Sequence, residues 1–361
     1  MSRARTALSA PGEFVRTVFI LYEYLKLGKS ARRYTLVCMS HTEFVIVGAG
    51  AIGSILAAHL ARAGRSVTVL ARGRRAQHIQ SEGLRIKGLS EISTPIAVVT
   101  DAAQLSSAGA LIIATKTPGS EELLRQLRHL QVDAALSIQN GVLKDELLAR
   151  TFGANRTFGA LADTSGELLA SGEVLFTRNV NLFIGELTGE MSARALSVAK
   201  TIDDAGVRAS VVPDIVSREW SKFVCWLGFF SLSLTTRVFT WRYLSDPDAA
   251  LLVVRFVREL AALAKAQGIP LTDDRALLPI STVLNGSDEE AVAAVHKVGA
   301  QYRANAPEHR MSSLQDLLAG RPLEIEETFG YALRKAQELR VPTPLLDTFY
   351  HAVRAIDRTR A

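Results

Sequence analysis

The sequence predicts an α/β fold, with a doubly wound parallel sheet in its first half and an all-α domain in its second. Three observations support this prediction. Residues 44–47 form a short apolar run that ends in glycines, as a buried parallel strand does. Strand and helix patterns then alternate to about residue 210, which is typical of βαβ units. Beyond Pro213, strand patterns nearly vanish and helical patterns take over.

The first half contains the predicted strands in a regular order. Residues 52–63 form a helix that stops at Gly64, and residues 66–70 form the second strand. From residue 159 to 186, turn residues separate short strand-like pieces. The remaining predicted elements are strands at residues 96–99, 111–114, 135–138, 173–177, 181–184 and 207–212, and a helix at residues 193–205.

The second half is predicted to be helical. Residues 246–267 form a strong helix, with Ser245 or Asp246 as its N-cap, Pro247 in its first turn and Gly268 after its end. Further helices are predicted at residues 288–298, 311–318 and 323–339, and a last one after the proline-containing break at residues 341–344. We therefore predict a sheet-containing domain over residues 39–210 and a helical domain over residues 211–361. Residues 1–38 are an N-terminal extension that we expect to be poorly ordered.

Composition excludes several classes of protein. The 361 residues are 48% hydrophobic and 22% charged, as in an ordinary globular protein. Most of the net charge of +6 lies in residues 1–38, so the nearly neutral body gives no reason to expect nucleic-acid binding. The longest uncharged run considered, residues 223–236, is too short to span a membrane. Two distant cysteines indicate neither a disulfide framework nor a metal site, and we expect a cytoplasmic protein.

A glycine motif predicts a dinucleotide site. Gly48, Gly50 and Gly53, with Ala51 and Ile52 before the third glycine, fit the pattern G-x-G-x-x-G. A strand ends directly before the motif and a helix opens on it, which is the context that gives the pattern its meaning. The first glycine permits a tight turn, the second lets a pyrophosphate approach, and the third lets helix and strand pack closely. Residues 39–210 are therefore predicted to form a Rossmann-type domain that holds phosphates at the helix N-terminus.

The end of the second strand predicts the choice of cofactor. A site for NAD usually places a carboxylate there, to bind the ribose 2′-hydroxyl. This chain instead has Arg72, Arg74 and Arg75, and Arg72 is the best placed to bind a 2′-phosphate with its forked guanidinium. A solvated basic loop remains a credible alternative for Arg74 and Arg75. NADP(H) is therefore the predicted cofactor.

Several segments in the right order resemble the ketopantoate reductase family. They are residues 44–53, residues 67–72, Thr115-Lys116, the turn at residues 139–142, Lys222, residues 312–326 and residues 341–344. The resemblance covers about residues 40–357, and the block at residues 312–326 is its most specific part. It implies reduction of 2-dehydropantoate to pantoate by NADPH, a step toward coenzyme A in pantothenate biosynthesis. It also implies that residues 211–361 form the substrate domain and that a small 2-oxo acid is the ligand. A second copy of the chain, in a homodimer, is a possible protein partner.

The resemblance also implies roles for individual residues. Lys222 would be the general acid that protonates the ketone oxygen, and Glu324 the carboxylate that holds substrate hydroxyls and places the lysine. Ser312 would hydrogen-bond the substrate carboxylate. Asn140 and Lys116 would line the cleft for cofactor and substrate from the first domain, and Asn140 follows a predicted strand at the sheet edge where such folds bind ligands.

The chain departs from the family pattern where substrate is bound. The family presents asparagines four and eight residues after the lysine, and this chain has Trp226 and Phe230 there. Leu323 replaces a usual threonine, and the glycine-rich segment is altered at residues 176–180. Because sites built on a hydrogen bond discriminate strongly on that group, these changes bear on the substrate. We predict that the two aromatic residues form an apolar wall.

Three hypotheses follow for the function. The first is a ketopantoate reductase, and the second is a reductase of another 2-oxo acid or ketone with an apolar tail. The third is a non-catalytic sensor that binds NADP(H). Retention of Lys222, Ser312 and Glu324 argues against the third hypothesis, and loss of both asparagines argues against the first.

Overall fold

The computed structural model describes residues 42–274 and 276–360, which pack as one unit. The predicted N-terminal extension, residues 1–38, lies outside the described residues. Within the described part of the chain, no helix is long and apolar enough to cross a membrane.

A ten-stranded sheet forms the first half of the described chain. Its central strands are parallel and almost fully buried, as the apolar runs in the sequence predict. The order across the sheet is β4-β3-β9-β8-β7-β6-β1-β2-β5, and β10 pairs with β9. The strands are β1 (Thr42–Val47), β2 (Val67–Leu70), β3 (Leu84–Gly88), β4 (Ile92–Thr94), β5 (Ala97–Val99), β6 (Ser107–Ile113), β7 (Gln131–Ser137), β8 (Thr157–Leu168), β9 (Val174–Glu186) and β10 (Ala209–Val211).

The sheet is mixed, whereas the sequence predicted a parallel one. β8 and β9 pair antiparallel along nearly their whole length, and β3 and β4 form a second antiparallel pair. The segments at residues 173–177 and 181–184 belong to one strand of 13 residues, β9. The pairing of β8 with β9 shifts register near Asp163. This irregularity lies within one continuous strand, where the sequence pattern predicted two separate strands.

Helices cover the sheet and form the second half of the chain. Asp246 caps the predicted long helix by accepting a hydrogen bond from the Ala249 N–H, and Pro247 is its first residue. The helices are α1 (Ala51–Arg62), α2 (Gly73–Glu82), α3 (Ser120–Leu127), α4 (Leu143–Phe152), α5 (Ala193–Asp204), α6 (Ile215–Thr236), α7 (Thr240–Leu244), α8 (Pro247–Ala266), α9 (Ile280–Asn285), α10 (Asp288–Asn305), α11 (Ser312–Leu318), α12 (Tyr331–Leu339) and α13 (Pro344–Thr359).

The 22-residue helix α6 is central to the second half. Most of its side chains are buried, because it packs against α8 on one side and against β8 on another. Because β8 belongs to the sheet, the apolar core continues from one half of the chain to the other. The last strand ends at Val211 and α6 begins at Ile215. The division into domains at residue 210 stays a prediction.

The segment predicted as one helix over residues 323–339 is interrupted. A short π-helix, Glu326–Gly330, precedes α12, and residues 323–325 lie before it in an irregular segment. The wider turn of a π-helix is common at functional sites. Here it begins two residues after Glu324, one of the residues expected in the site.

Candidate active site

The glycine turn has the geometry that a dinucleotide requires. Gly48 has a φ of 101°, and a Cβ atom there would lie 2.8 Å from Thr115 Cγ2. A Cβ atom on Gly53 would lie 2.1 Å from the Gly48 carbonyl oxygen, so β1 and α1 can meet this closely only with glycine. At Gly50 the nearest atom to a Cβ would be 4.0 Å away, which leaves the turn open on that side. The residues present therefore fit a pyrophosphate at the start of α1.

The three arginines after β2 differ in their surroundings. Arg72 is exposed at the start of α2, where one of its nitrogens donates to Gln126 Oε1 at 2.5 Å, and Arg74 is also exposed. Arg75 donates to the Ala49 carbonyl at 2.9 Å, the Gly172 carbonyl at 2.6 Å and Ser54 Oγ at 2.9 Å. Burial lowers the pKa of the Arg75 guanidinium. Arg75 therefore stabilises the glycine turn. Of the two arginines that could have formed a solvated basic loop, only Arg74 is solvated.

Glu324 lies against the loops that follow β6 and β7. Its carboxylate is only 3% exposed and accepts hydrogen bonds from the Thr117 N–H at 3.1 Å and from Asn140 Nδ2 at 3.4 Å. Lys116 Nζ lies 3.8 Å from the same carboxylate and 2.8 Å from Asp316 Oδ2. The structure thus brings together Lys116, Asn140 and Glu324 at the carboxyl edge of the sheet, where folds of this type bind ligands.

Lys222 lies within α6, in the same cleft as Asn140. It is partly buried, and its Nζ donates to the Ala162 carbonyl of β8 at 3.3 Å. Burial lowers the pKa of its ammonium, and the nearby Lys144 cation adds to the effect, while Asp163, Glu219 and Glu324 oppose it. A lysine with a lowered pKa that faces a cleft is suited to proton transfer.

A buried ionic cluster next to Lys222 was missed by the sequence reasoning. Lys144 Nζ contacts a Glu219 carboxylate oxygen and also bonds Asp145 Oδ1 and the Ala160 carbonyl, each at 3.1 Å. Glu219 also accepts a hydrogen bond from the Ala160 N–H at 2.8 Å. The sequence could have indicated Glu219, because it lies three residues before Lys222 and therefore on the same face of α6. Its partner on α4 was not identifiable from spacing.

The two aromatic residues of α6 have different positions. Trp226 lines the cleft that also exposes Asn140 and Lys222. Phe230 does not line it. Its ring is 1% exposed and lies between Trp226 and Phe329, with ring centroids 5.1 Å apart on each side. The apolar wall is therefore formed at the surface of the cleft by Trp226, and Phe230 supports it from behind.

Ser312 lies on α11, which packs against α6. It is the first residue of α11 and is partly buried, but it is not among the residues that line the cleft around Lys222. The next residue, Ser313, shares a hydrogen bond of 3.0 Å with Ser233 of α6 and so joins the two helices. Among the described residues there is no group of acidic, histidine or cysteine side chains that could hold a metal ion.

The arrangement can support the reduction of a carbonyl group. The glycine turn would place a nicotinamide dinucleotide along the carboxyl edge of the sheet. The cleft at the end of β7 contains the partly buried ammonium of Lys222, a group of the kind that can donate a proton. The cleft-lining residues around Lys222 come from β8, α4, α6 and the loop after β7. A substrate in this cleft would be enclosed between the sheet and the helical half.

Comparisons with known proteins identify the family of this chain. The family model "Ketopantoate reductase PanE/ApbA" matches residues 44–189, and the model of its C-terminal part matches residues 214–357. A 2-dehydropantoate 2-reductase of Archaeoglobus fulgidus is 27% identical over 312 residues, covering 86% of this chain and 97% of the relative. A second one, of Mesorhizobium japonicum, is 28% identical over 340 residues, covering 87% of this chain and 97% of the relative.

Solved structures of other proteins share the fold. A 2-dehydropantoate 2-reductase from Methylococcus capsulatus superimposes with a TM-score of 0.71 at 26% identity, covering 88% of this chain and 98% of the other. A D-mandelate dehydrogenase shares the fold, with a TM-score of 0.74 at 20% identity, covering 88% and 99%. The chain thus belongs to the ketopantoate reductase family, oxidoreductases that act on ketone and CH–OH groups with a nicotinamide cofactor.

Proposed function

We propose that this protein reduces a 2-oxo acid to a 2-hydroxy acid with NADPH, and that 2-dehydropantoate is its first candidate substrate. The observation that carries the proposal is the partly buried Lys222 ammonium, which faces a cleft at the carboxyl end of β7. The names of the relatives from Archaeoglobus fulgidus and Mesorhizobium japonicum support the choice of substrate. Family membership and the retained lysine weigh against a non-catalytic sensor.

In this proposal the chain supplies a proton and the position of the substrate. The reduced nicotinamide, when bound, supplies a hydride to the ketone carbon. Lys222 Nζ donates a proton to the ketone oxygen, while the Ala162 carbonyl keeps the ammonium directed along the edge of β8. Asn140 and Glu324 bind and orient the substrate from the loop after β7 and from the segment before the π-helix. Ser312, at the start of α11, would bind the substrate carboxylate.

The preference for NADPH rests on Arg72. Its exposed guanidinium stands at the start of α2, directly after β2, and the end of β2 has no carboxylate to bind a ribose hydroxyl. Arg74 offers a second exposed cation two residues later. Arg75 is excluded from this role, because its donors already bond Ala49, Gly172 and Ser54.

One observation favours a second candidate substrate. Trp226 presents an indole to the cleft where the family pattern has an amide, so a hydroxyl of the substrate would lose a hydrogen-bonding partner. A 2-oxo acid with an apolar side chain would instead gain contact with the ring. Reduction of such an acid is therefore the alternative to reduction of 2-dehydropantoate.

The test measures NADPH oxidation with a panel of 2-oxo acids that includes 2-dehydropantoate and acids with apolar tails. We expect Lys222→Ala to lower kcat by about 10²–10⁴-fold, the usual contribution of a general acid, with nearly unchanged NADPH binding. Trp226→Asn should shift the ratio of kcat/KM values toward 2-dehydropantoate. A Lys222→Ala variant that turns over an accepted substrate at the wild-type rate would refute the proposed chemistry.

Two further proposals concern the setting of the enzyme. We propose that it acts in the cytoplasm and that two copies form a homodimer. Light scattering of the purified full chain tests the second proposal, because a monomer has the mass of 39.1 kDa. Fractionation of the source cells tests the first.

A further inference from the structure

Beyond the point where β7 stops pairing with it, the backbone of β8 forms hydrogen bonds with side chains instead of with a strand. β7 pairs with β8 only at residues 157 and 158. Two residues further along, the N–H and the carbonyl of Ala160 bond Glu219 and Lys144, at 2.8 Å and 3.1 Å. The next carbonyl on the same side, that of Ala162, accepts a hydrogen bond from Lys222 at 3.3 Å. Three charged side chains therefore replace a strand along this edge.

The two lysines occupy neighbouring positions on that edge. Carbonyls two residues apart on one side of a strand are separated by about 7 Å. Lys144 and Lys222 each bond one of these carbonyls, so two ammonium groups lie side by side at the cleft. Glu219 comes from the same face of α6 as Lys222 and contacts Lys144 directly, so its carboxylate offsets the charge of the first lysine.

Burial makes this cluster sensitive to the loss of one member. The side chains of Lys144 and Glu219 are each only 3% exposed. Burial alone would lower the pKa of Lys144, but contact with Asp145 and Glu219 raises it overall, so the group stays cationic. For Glu219, burial and the adjacent Asp145 raise the pKa, while the Lys144 ammonium opposes this rise; because that ammonium is in direct contact, the group is a carboxylate. Removal of Lys144 would leave the Glu219 carboxylate without its cation, and removal of Glu219 would leave Lys144 with Asp145 alone, in surroundings where charges interact strongly.

We propose that Glu219 and Lys144 are positioning residues for Lys222: their bonded pair caps the edge of β8 and sets the place and the electrostatic surroundings of the ammonium. The proposal rests on the proposed function, in which Lys222 protonates the substrate. The charged groups that face Lys222 are Asp163 on β8, Lys144 on α4, Glu219 on α6 and Glu324 before the π-helix. Lys144 itself does not bind substrate, because its ammonium already has three protein partners.

The test follows the titration of Lys222 directly and through catalysis. NMR of the full chain with ¹³C-labelled lysine gives the titration midpoint of the Lys222 side chain, with Lys222→Met to assign the signal. The pH dependence of kcat/KM is measured on an accepted 2-oxo acid with the same proteins. The variants are Lys144→Met, Glu219→Gln and the double variant Lys144→Met/Glu219→Leu. Lys200→Met is the matched control, because Lys200 also pairs with a carboxylate, Asp204, but on the surface.

The expected shifts have opposite signs. Lys144→Met removes a nearby cation and should raise the Lys222 midpoint by about one pH unit, while Glu219→Gln removes an anion and should lower it. The double variant removes both charges, so its midpoint should stay near that of the wild type. It also serves if a single variant fails to fold, since apolar side chains of similar size are tolerated in place of a buried ion pair.

Any other pattern of midpoints, including equal values in all variants, overturns the positioning role. A change in melting temperature without these shifts also overturns it, because it would show that the pair only stabilises the fold. Failure of the proposed function gives a different result. In that case Lys222→Met would retain the wild-type kcat, whatever the midpoints of the other variants are.

Discussion

The glycine turn allows a prediction in which two neighbouring substitutions have separate effects. In Gly53→Ala, the new methyl group would lie 2.1 Å from the Gly48 carbonyl oxygen, where contacts of this kind need about 3.5 Å. Either the turn or α1 must therefore move by more than about 1 Å. In Gly50→Ala, the nearest atom lies 4.0 Å away, and the backbone at φ −70° is one that alanine adopts readily.

The magnitudes follow from these distances. Overpacking of this kind costs about 1–3 kcal/mol, so Gly53→Ala should lower the melting temperature by a few degrees or more, with NADPH binding lost as well. Gly50→Ala should keep the melting temperature of the wild type. Its methyl group, however, would stand where the pyrophosphate approaches, so the Kd for NADPH should rise about tenfold or more, which corresponds to about 1.4 kcal/mol.

Both measurements use the unliganded full chain, and each variant is the control for the other. Melting is followed by circular dichroism without cofactor, and NADPH affinity by the fluorescence of the bound nicotinamide. Wild-type affinity in Gly50→Ala would refute the placement of the pyrophosphate. An unchanged melting temperature in Gly53→Ala would refute the close contact between β1 and α1.

Three further predictions concern the charged residues. Arg72→Asp should narrow or invert the preference for NADPH over NADH, and equal wild-type affinity for both cofactors would contradict the role of Arg72. Glu324→Ala should raise KM and lower kcat, because the carboxylate holds Thr117 and Asn140 in place. The combined loss in kcat/KM should reach up to about 10²-fold, and unchanged steady-state constants would contradict this role. The pKa of Lys222 is lowered by burial, and a general acid must be protonated, so kcat/KM should fall as pH rises through a value below that of an ordinary lysine. A profile of kcat/KM that stays flat up to the pH at which an ordinary lysine titrates would contradict this prediction.

The parts of the fold that depend on neighbouring residues were predictable. The strand β1, the glycine turn and the start of α1 follow each other directly, and the structure places them as the pattern predicts. The cap and first turn of α8 were predictable for the same reason, since Asp246 and Pro247 act within a few residues. The antiparallel pairing of β8 with β9 was not, because a strand pattern does not state the direction of its partner.

The parts of the site that depend on distant residues were not predictable. Arg75 bonds Gly172, which is 97 positions away, and no local signal distinguished it from Arg74. Lys144 and Glu219 are 75 positions apart, and only the fold brings α4 and α6 together. In contrast, the resemblance identified Asn140, Lys116 and Glu324 as site residues, and these side chains meet in the structure.

The two aromatic replacements on α6 are two different physical changes, although they look alike in sequence. Trp226 meets the cleft, so its exchange for an amide alters what a substrate touches. Phe230 lies inside the core against Phe329, where an amide would bury polar atoms without a partner at a cost of about 1–3 kcal/mol. The core behind the cleft is therefore adapted to an aromatic ring at position 226. A return of both positions to asparagine should change substrate contact through the first and stability through the second, so we expect only the exchange at position 226 to change substrate preference.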